Sequence, residues 1–396
     1  MSTIAPQQAA FRKSEARGPR PEAHLGLYVH LPFCRVHCTY CAFAISTDLS
    51  AQGRYVSSLL SEIDARGTRS QPVDSIYFGG GTPSRMPTDS LAAIAERIRL
   101  RFDVAAAVEF SMEANPEDVT PDTLGAWRGM GLNRLSIGVQ SFDDRELRPL
   151  GRIHGGSSAE AAVALAVSFG AGEDTGPPGF RTSLDLILGL PEQTAESFRH
   201  SIARAIALGA GHLSLYMLDL EPRSPLEVQV ARGRATLPQD EVVADLYVEA
   251  VETLREAGIV QYEVSNFARP GEECRHNLRY WTRGEYIGLG LAAHSFAGGR
   301  RFANTRDIHR YIATAPYAAD FSEDLGEDES RRETLFLGLR QTAGIDYAEV
   351  ERLCGQEGIE WMDRGVRDGW LRRDGGRVAF TSSGFLLSND LISQLF

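Results

Sequence analysis

Tyr28-Val29-His30-Leu31-Pro32-Phe33-Cys34-Arg35-Val36-His37-Cys38-Thr39-Tyr40-Cys41 is the stretch on which the fold turns. The apolar run 25–31 reads as a β-strand, and three cysteines follow it in a C-x3-C-x2-C loop. Thiolates at this spacing can wrap one compact inorganic centre, and iron–sulfur clusters prefer thiolate ligands. Three ligands for four irons leave one iron open, which permits a chelating ligand. The competing centre is zinc, with His37 or His30 completing a tetrahedral site. Closed zinc sites usually combine two C-x2–4-C or C/H units, and no second unit is present, because Cys274 and Cys354 stand alone. The spacing therefore favours the [4Fe–4S] cluster.

Working outward, short apolar runs alternate with amphipathic stretches. Strands are expected at 25–31, 73–78, 108–114, 134–138, 182–186 and 212–218, with helices at 55–66, 89–101, 159–168, 195–208 and 240–257. Repeated strand–helix order implies a parallel sheet with helices outside it. Six such units predict an α/β fold with a partial (β/α)6 barrel over residues 25–270. Residues 170–179, rich in Gly and Pro, read as a surface loop. Beyond Pro270 the pattern changes. Residues 271–332 read as a connecting segment, with 284–299 Gly-rich and loop-like and 322–332 strongly charged. Residues 333–396 read as a small, mainly helical domain with a hairpin near 377–381, in the style of a winged helix.

Polar clusters fall at or just past the expected strand ends. The cysteines follow the first strand and Gly79-Gly80-Gly81-Thr82-Pro83 the second; Glu113 closes the third and Gln140 follows the fourth. Asp185 lies near the end of the fifth, and Glu221 follows the sixth. A barrel gathers those ends on one rim, where barrel active sites lie, so the order of elements alone predicts a ligand site. Asp185 interrupts an apolar strand, and a buried carboxylate needs partners. Each residue also has a plainer role: a tight turn for the glycines, an ion pair for Glu113, core packing for Tyr28.

Composition sets the outer bounds. With 43% hydrophobic and 24% charged residues, the 396-residue chain is an ordinary globular sequence. Its net charge of −12 argues against nucleic acid as a partner. Five cysteines, three of them clustered, suit a metal site in a reducing compartment rather than a disulfide framework. No apolar run approaches the ~18 residues of a membrane span. Residues 1–24, rich in Ala, Arg, Pro and Ser, read as a disordered extension; their arginines also give a weak likeness to an organellar transit peptide.

On the cysteine loop and the residues before it, the sequence resembles the radical S-adenosylmethionine (SAM) superfamily, in its coproporphyrinogen III dehydrogenase-like branch and, within that, the HemW-type heme chaperones. The likeness runs from Leu25 to the C-terminus. It implies that Cys34, Cys38 and Cys41 hold the cluster and that SAM chelates the open iron. In that superfamily an electron from the cluster breaks the sulfonium bond to give a 5′-deoxyadenosyl radical. Gly80, Gly81 and Thr82 match the motif that receives the amino-acid end of SAM. Glu113 matches the acid facing the same ligand, and Gln140, Arg152, Asp185 and Tyr28 match further SAM positions.

The resemblance leaves two functions, which position 43 separates. Decarboxylating dehydrogenases carry another cysteine two residues past the third ligand; here the sequence is Cys41-Ala42-Phe43, the chaperone pattern. His276-Asn277-Leu278-Arg279-Tyr280-Trp281 resembles the chaperones' H-N-x-x-Y-W motif, associated with heme. Imidazole is a competent axial ligand, aromatic rings stack on porphyrins, and Arg275, Arg279 and Arg283 offer partners for propionates. A lone His among aromatics is more often packing. His294 is a second candidate in a flexible surrounding. Cys274 reads as a small hydrophobe and Cys354 as core. The resemblance thus implies a cytoplasmic protein that binds heme and passes it to apoproteins, peripheral contact with membrane heme proteins included, as monomer or dimer.

Overall fold

The computed structural model describes residues 24–169 and 179–395. The expected extension 1–24, apart from His24, and the expected loop 170–179, apart from Gly179, lie outside the described residues. Six strands run in chain order: β1 Leu25–Leu31, β2 Pro72–Gly80, β3 Asp103–Ala114, β4 Arg134–Gln140, β5 Arg181–Leu188 and β6 His212–Met217. Each pairs in parallel with the next. Parallel neighbours need long crossovers, and helices fill them: Gln52–Arg66, Thr88–Arg101, Pro121–Gly129, Gly156–Ser168 and Ala195–Ala207.

Alternation along the strands sorts the two faces. Leu27, Val29, Ile76 and Leu135 join one core with Leu59, Ile63, Leu91 and Ile94 of the helices. The opposite phase brings Tyr28, Tyr77, Ser111, Ser136, Ser183 and Ser214 around a common interior cavity. Tyr28 is paired with Tyr77, Tyr77 with Ser111, and Ser136 with Ser183 in the strand register, so the interior is a layered polar ring. These are the six units expected from the sequence. The helix Pro121–Gly129 was not foreseen; only Leu124 and Trp127 are buried on it, too few to show a period, and the Thr120–Thr123 capping box starts it.

The sheet does not stop with the barrel. Tyr286–Leu289 adds to β1 in parallel, and His294–Ala297, Arg300–Asn304 and Ala319–Asp324 follow as antiparallel strands. Asn266–Ala268 and Val260–Gln261 extend the β6 edge, making twelve strands in this sheet among the described residues. Residues 271–332 therefore build sheet rather than merely connect, and 284–299 is not a loop. The signal was hidden because the three strands between Tyr286 and Asn304 are four or five residues long and broken by Gly290, Gly298 and Gly299, all at positive φ. The outermost strand, Ala319–Asp324, is exposed along its whole length.

The end of the barrel opposite the rim is closed by a buried ion pair. Arg134 Nε donates to Glu109 Oε2 at 3.1 Å, with both side chains almost wholly enclosed. Arg134 also donates to the carbonyls of Glu272 and Glu273, and Glu109 accepts from the Cys274 thiol and the His276 backbone N–H. The bridge so fixes the helix Arg275–Trp281 under the barrel. Helices Glu327–Leu339 and Tyr347–Asp368 then pack with a small sheet containing the hairpin Leu371–Asp374 and Arg377–Phe380, the helical domain with hairpin that was expected. Cys354 is half-buried against its core. Among the described residues no helix is long and apolar enough to cross a membrane.

Removing one partner of a buried pair leaves an uncompensated charge. Arg134→Met is expected to cost about 3–5 kcal/mol in denaturant unfolding; a loss below about 1 kcal/mol would show that the bridge is dispensable.

Candidate functional site

The loop after β1 is stitched to the loop after β2. Gly81 N–H donates to Leu31 O at 2.9 Å and Thr82 N–H to Phe33 O at 3.1 Å. Thr39 is tied on the other side, through its N–H to Leu150 O and its hydroxyl to Pro149 O. Held between these anchors, Cys34, Cys38 and Cys41 line one cavity of about 300 Å³ at the carboxyl ends of the strands. Two glycines make the approach possible. A Cβ on Gly81 would stand 2.6 Å from the Pro32 backbone and 3.0 Å from Cys34 Sγ. Gly80, at φ +115°, would put one 2.7 Å from the His30 ring.

All three thiols are free. Burial pushes the Cys34 thiol up to about 11, and the Thr82 hydroxyl, donating to its sulfur at 3.4 Å, pulls the other way. Burial raises Cys41 as well. Arg152 brings a guanidinium N–H within 3.8 Å of Cys38 Sγ. Among the described residues no three His, Cys, Asp or Glu side chains close on a single ion-sized point. His30 is engaged at both ring nitrogens, by the Tyr28 hydroxyl and the Ala44 carbonyl, and His37 turns its Nε2 to the Cys41 carbonyl. A cubane cluster is ligated at separate irons, so thiolates spread around one cavity suit it.

Opposite the cysteines lie two half-buried carboxylates. Glu113 accepts from the Tyr77 hydroxyl at 3.0 Å and from the Gly80 N–H at 3.1 Å. Burial, and then the negative charge of Asp185, push it up to about 7. Asp185 is held by Ser136 at 3.0 Å and by Ser214, and burial raises it to about 6. Arg152 spans the same cavity, donating to Asn115 Oδ1 and Gly138 O at 2.8 and 2.7 Å. Gln140 stands at its edge in a left-handed backbone conformation, φ +67°. Gly80, Gly81, Thr82, Glu113, Gln140, Arg152 and Asp185 are thus gathered with the cysteines around one space. Tyr28 lines two neighbouring cavities instead, its hydroxyl on His30 Nδ1. At the sixth strand Asp219, not Glu221, reaches the space. Sequence reading missed Asn115 and Ser214, which hold Arg152 and Asp185, because small polar residues carry no motif.

The 276–281 motif is divided by its helix. His276 is 1% exposed, with Nδ1 on Ser75 Oγ at 3.1 Å and Nε2 on the Tyr280 hydroxyl at 2.8 Å. Tyr280 reaches the cavities beside β1, whereas Trp281 faces the other way and bonds Glu263. Two of the three arginines offered for propionates are already spent: Arg279 pairs with Asp74, and Arg283 with Glu333 at 2.8 Å. Their acids lie some 205 and 50 residues away in sequence, out of sight of local reading. Cys274 is buried, as expected of a small hydrophobe, though its thiol also bonds Glu109. Phe43 is 68% exposed and stands with Val36, Ile153, Tyr216 and Met217, all exposed apolar residues around the cysteine cavity.

Residues 28–205 match the model of the radical SAM superfamily, and 325–387 that of the HemN C-terminal domain. The solved structure of coproporphyrinogen III oxidase (HemN) from Escherichia coli, described as a radical SAM enzyme, superposes with a TM-score of 0.79 at 25% identity, covering 95% of this chain and 91% of that one. Barrel, cysteine loop and C-terminal domain together define a radical SAM protein. Heme chaperone HemW of Mycobacterium tuberculosis is 34% identical over 95% of this chain and 96% of its own length, and that of Escherichia coli 33% over 94% and 98%. The mouse mitochondrial radical S-adenosyl methionine domain-containing protein 1 is 34% identical over 93% and 90%. The chain belongs to the HemW family.

Gly81→Ala forces the Pro32 backbone and Cys34 apart. Iron and sulfide after anaerobic reconstitution are expected to fall at least about twofold while far-UV circular dichroism is kept, since the clash is local. Full cluster content in the variant would show that the close approach is not needed.

Proposed function

We propose that this protein is a cytoplasmic heme carrier that holds a [4Fe–4S] cluster on Cys34, Cys38 and Cys41, binds SAM beside it, and hands heme to apoproteins. Bound there, cluster and SAM supply one-electron chemistry, used for regulation or electron transfer rather than for decarboxylating a porphyrin. The names of the full-length HemW relatives support the carrier role. The observation that carries it is Phe43. It occupies the position where the dehydrogenases keep a further cysteine, and it stands 68% exposed at the mouth of the cysteine cavity. An exposed aromatic ring at that position offers a flat apolar ligand a surface to pack on.

The chain's own residues divide the work. Glu113 and Asp185 are two half-buried acids facing one space, which suits a ligand bearing ammonium and sulfonium charge. Arg152 suits its carboxylate and also shields the Cys38 sulfur. Gly80 and Gly81 let backbone come close, and Thr82 steadies the Cys34 sulfur. Gln140 lines the same cavity and matches a SAM position of the family.

The reading is tested by titrating hemin into the anaerobically reconstituted protein and by offering it coproporphyrinogen III with SAM and a reductant. Saturable heme binding without turnover is expected. Coproporphyrinogen conversion, or no saturable binding, overturns the carrier role.

The carboxylates give a pH signature. Both have raised pKa values, about 7 and about 6, so they are protonated and neutral at low pH and become anionic as pH rises. SAM affinity is therefore expected to strengthen by about tenfold between about pH 5 and about pH 8, one pKa unit being worth about 1.4 kcal/mol. In Glu113→Gln that slope flattens while iron content stays at the wild-type level. An unchanged slope in the variant would remove Glu113 from the SAM site.

A further inference from the structure

A second cavity, of about 260 Å³, lies on the other side of Phe43 from the cysteines. Its walls are aromatic: Tyr28 from β1, Tyr280 from the 275–281 helix, Tyr286 from the neighbouring strand, and Phe43 itself, which borders both spaces. At its edge stand His294 and Arg306. Among the described residues neither ring nitrogen of His294 has a hydrogen-bond partner, and Arg306 pairs with no carboxylate but donates to the Ala42 carbonyl at 3.1 Å. His294 opens the strand His294–Ala297, where its backbone is fixed by pairing with Ala303. Partial burial, then the charges of Arg301 and Arg306, hold its pKa below the ordinary imidazole value, so the ring is kept neutral, the form that binds iron.

His276, by contrast, is sealed in, with both nitrogens taken by Ser75 and Tyr280. Ligation by it requires breaking both bonds and opening the barrel interior. His294 needs neither.

We infer that His294 is the axial ligand of heme iron in this protein, with the porphyrin edge seated among Phe43, Tyr280 and Tyr286 and a propionate on Arg306. This rests on the heme-carrier reading and adds to it the place and the ligand. Ligand pockets commonly measure about 300–1,000 Å³. A cavity at the lower bound admits one edge of a macrocycle and leaves the other outside, where an acceptor can take hold of it. Phe43 then has a positive role: its ring is the partition between the heme space and the cysteine space.

The test is a hemin titration of the cluster-loaded protein in four forms, wild type, His294→Ala, His276→Ala and Arg306→Leu, followed by Soret absorbance and low-temperature electron paramagnetic resonance. His294→Ala is expected to shift the Soret band, change the resonance and weaken binding by at least about tenfold, with added imidazole restoring the wild-type spectrum. Arg306→Leu is expected to weaken binding without moving the band. His276→Ala is expected to keep the wild-type spectrum; if it loses cluster or fold, His276→Gln replaces it. A wild-type spectrum and affinity in His294→Ala overturns the assignment while leaving heme binding itself intact. A band that moves only in the His276 variant does the same. Absence of saturable binding in the wild type sinks the heme reading instead, so the two failures are told apart.

Discussion

The bridge between Glu109 and Arg134 is the interaction on which much else hangs. It joins β3 to β4 where both are enclosed, and its spare donors and acceptors catch the backbone of 272–276. The helix that follows is thereby fixed in height and rotation. From that helix Arg279 reaches Asp74 and the His24 carbonyl at the foot of β1, Tyr280 reaches the cavity beside the rim, and Trp281 reaches toward the C-terminal domain. One desolvated ion pair so sets the relation between barrel floor, edge strands and tail. Its energetic value is modest, because burying two charges costs nearly what their attraction returns. Its structural value lies in the geometry it allows.

At the rim the balance is reversed. Glu113 and Asp185 are half-buried and, among the described residues, make no salt bridge; the fold tolerates them by supplying Tyr77, Gly80, Ser136 and Ser214 as donors. Two acids raised toward neutrality and facing one space are poised to accept positive charge. The same close packing that brings Gly80 against His30 and Gly81 against Pro32 delivers the cysteines to that space. Floor and rim therefore differ in kind: at one an acid is paired with an arginine, at the other two acids face one space without a salt bridge.

What the sequence disclosed follows from this difference. The six barrel strands were readable because each alternates apolar with small or polar residues over five or more positions, with turn signals between them; the cysteines, Glu113 and Asp185 stood out because each interrupts or follows such a strand, and Arg152 only through the family resemblance. Residues 284–299 were misread because strands of four residues between glycines carry no alternation, and their order comes from the edge of β1. Arg279 and Arg283 were misread for a similar reason: nothing local tells an arginine bound for Asp74 or Glu333 from one bound for a ligand. The H-N-x-x-Y-W motif looked like one cluster on paper, but a helix turns successive residues by about 100°, so Tyr280 and Trp281 part company.

A sheet of twelve strands has to end, and among the described residues it ends on Ala319–Asp324, with no strand beyond it and every residue exposed. Bare edges invite another chain to pair with them. This one carries Asp320, Glu323 and Asp324 within six residues, and Asp320 and Asp324 are answered by Arg310 and Arg300 of the same chain. A second copy approaching edge to edge meets the same acids and must strip them of water and of their arginines before any backbone bond forms. Crowded copies of this protein are thus discouraged from zipping into a continuous sheet, and the open architecture is kept from becoming a seed for aggregation.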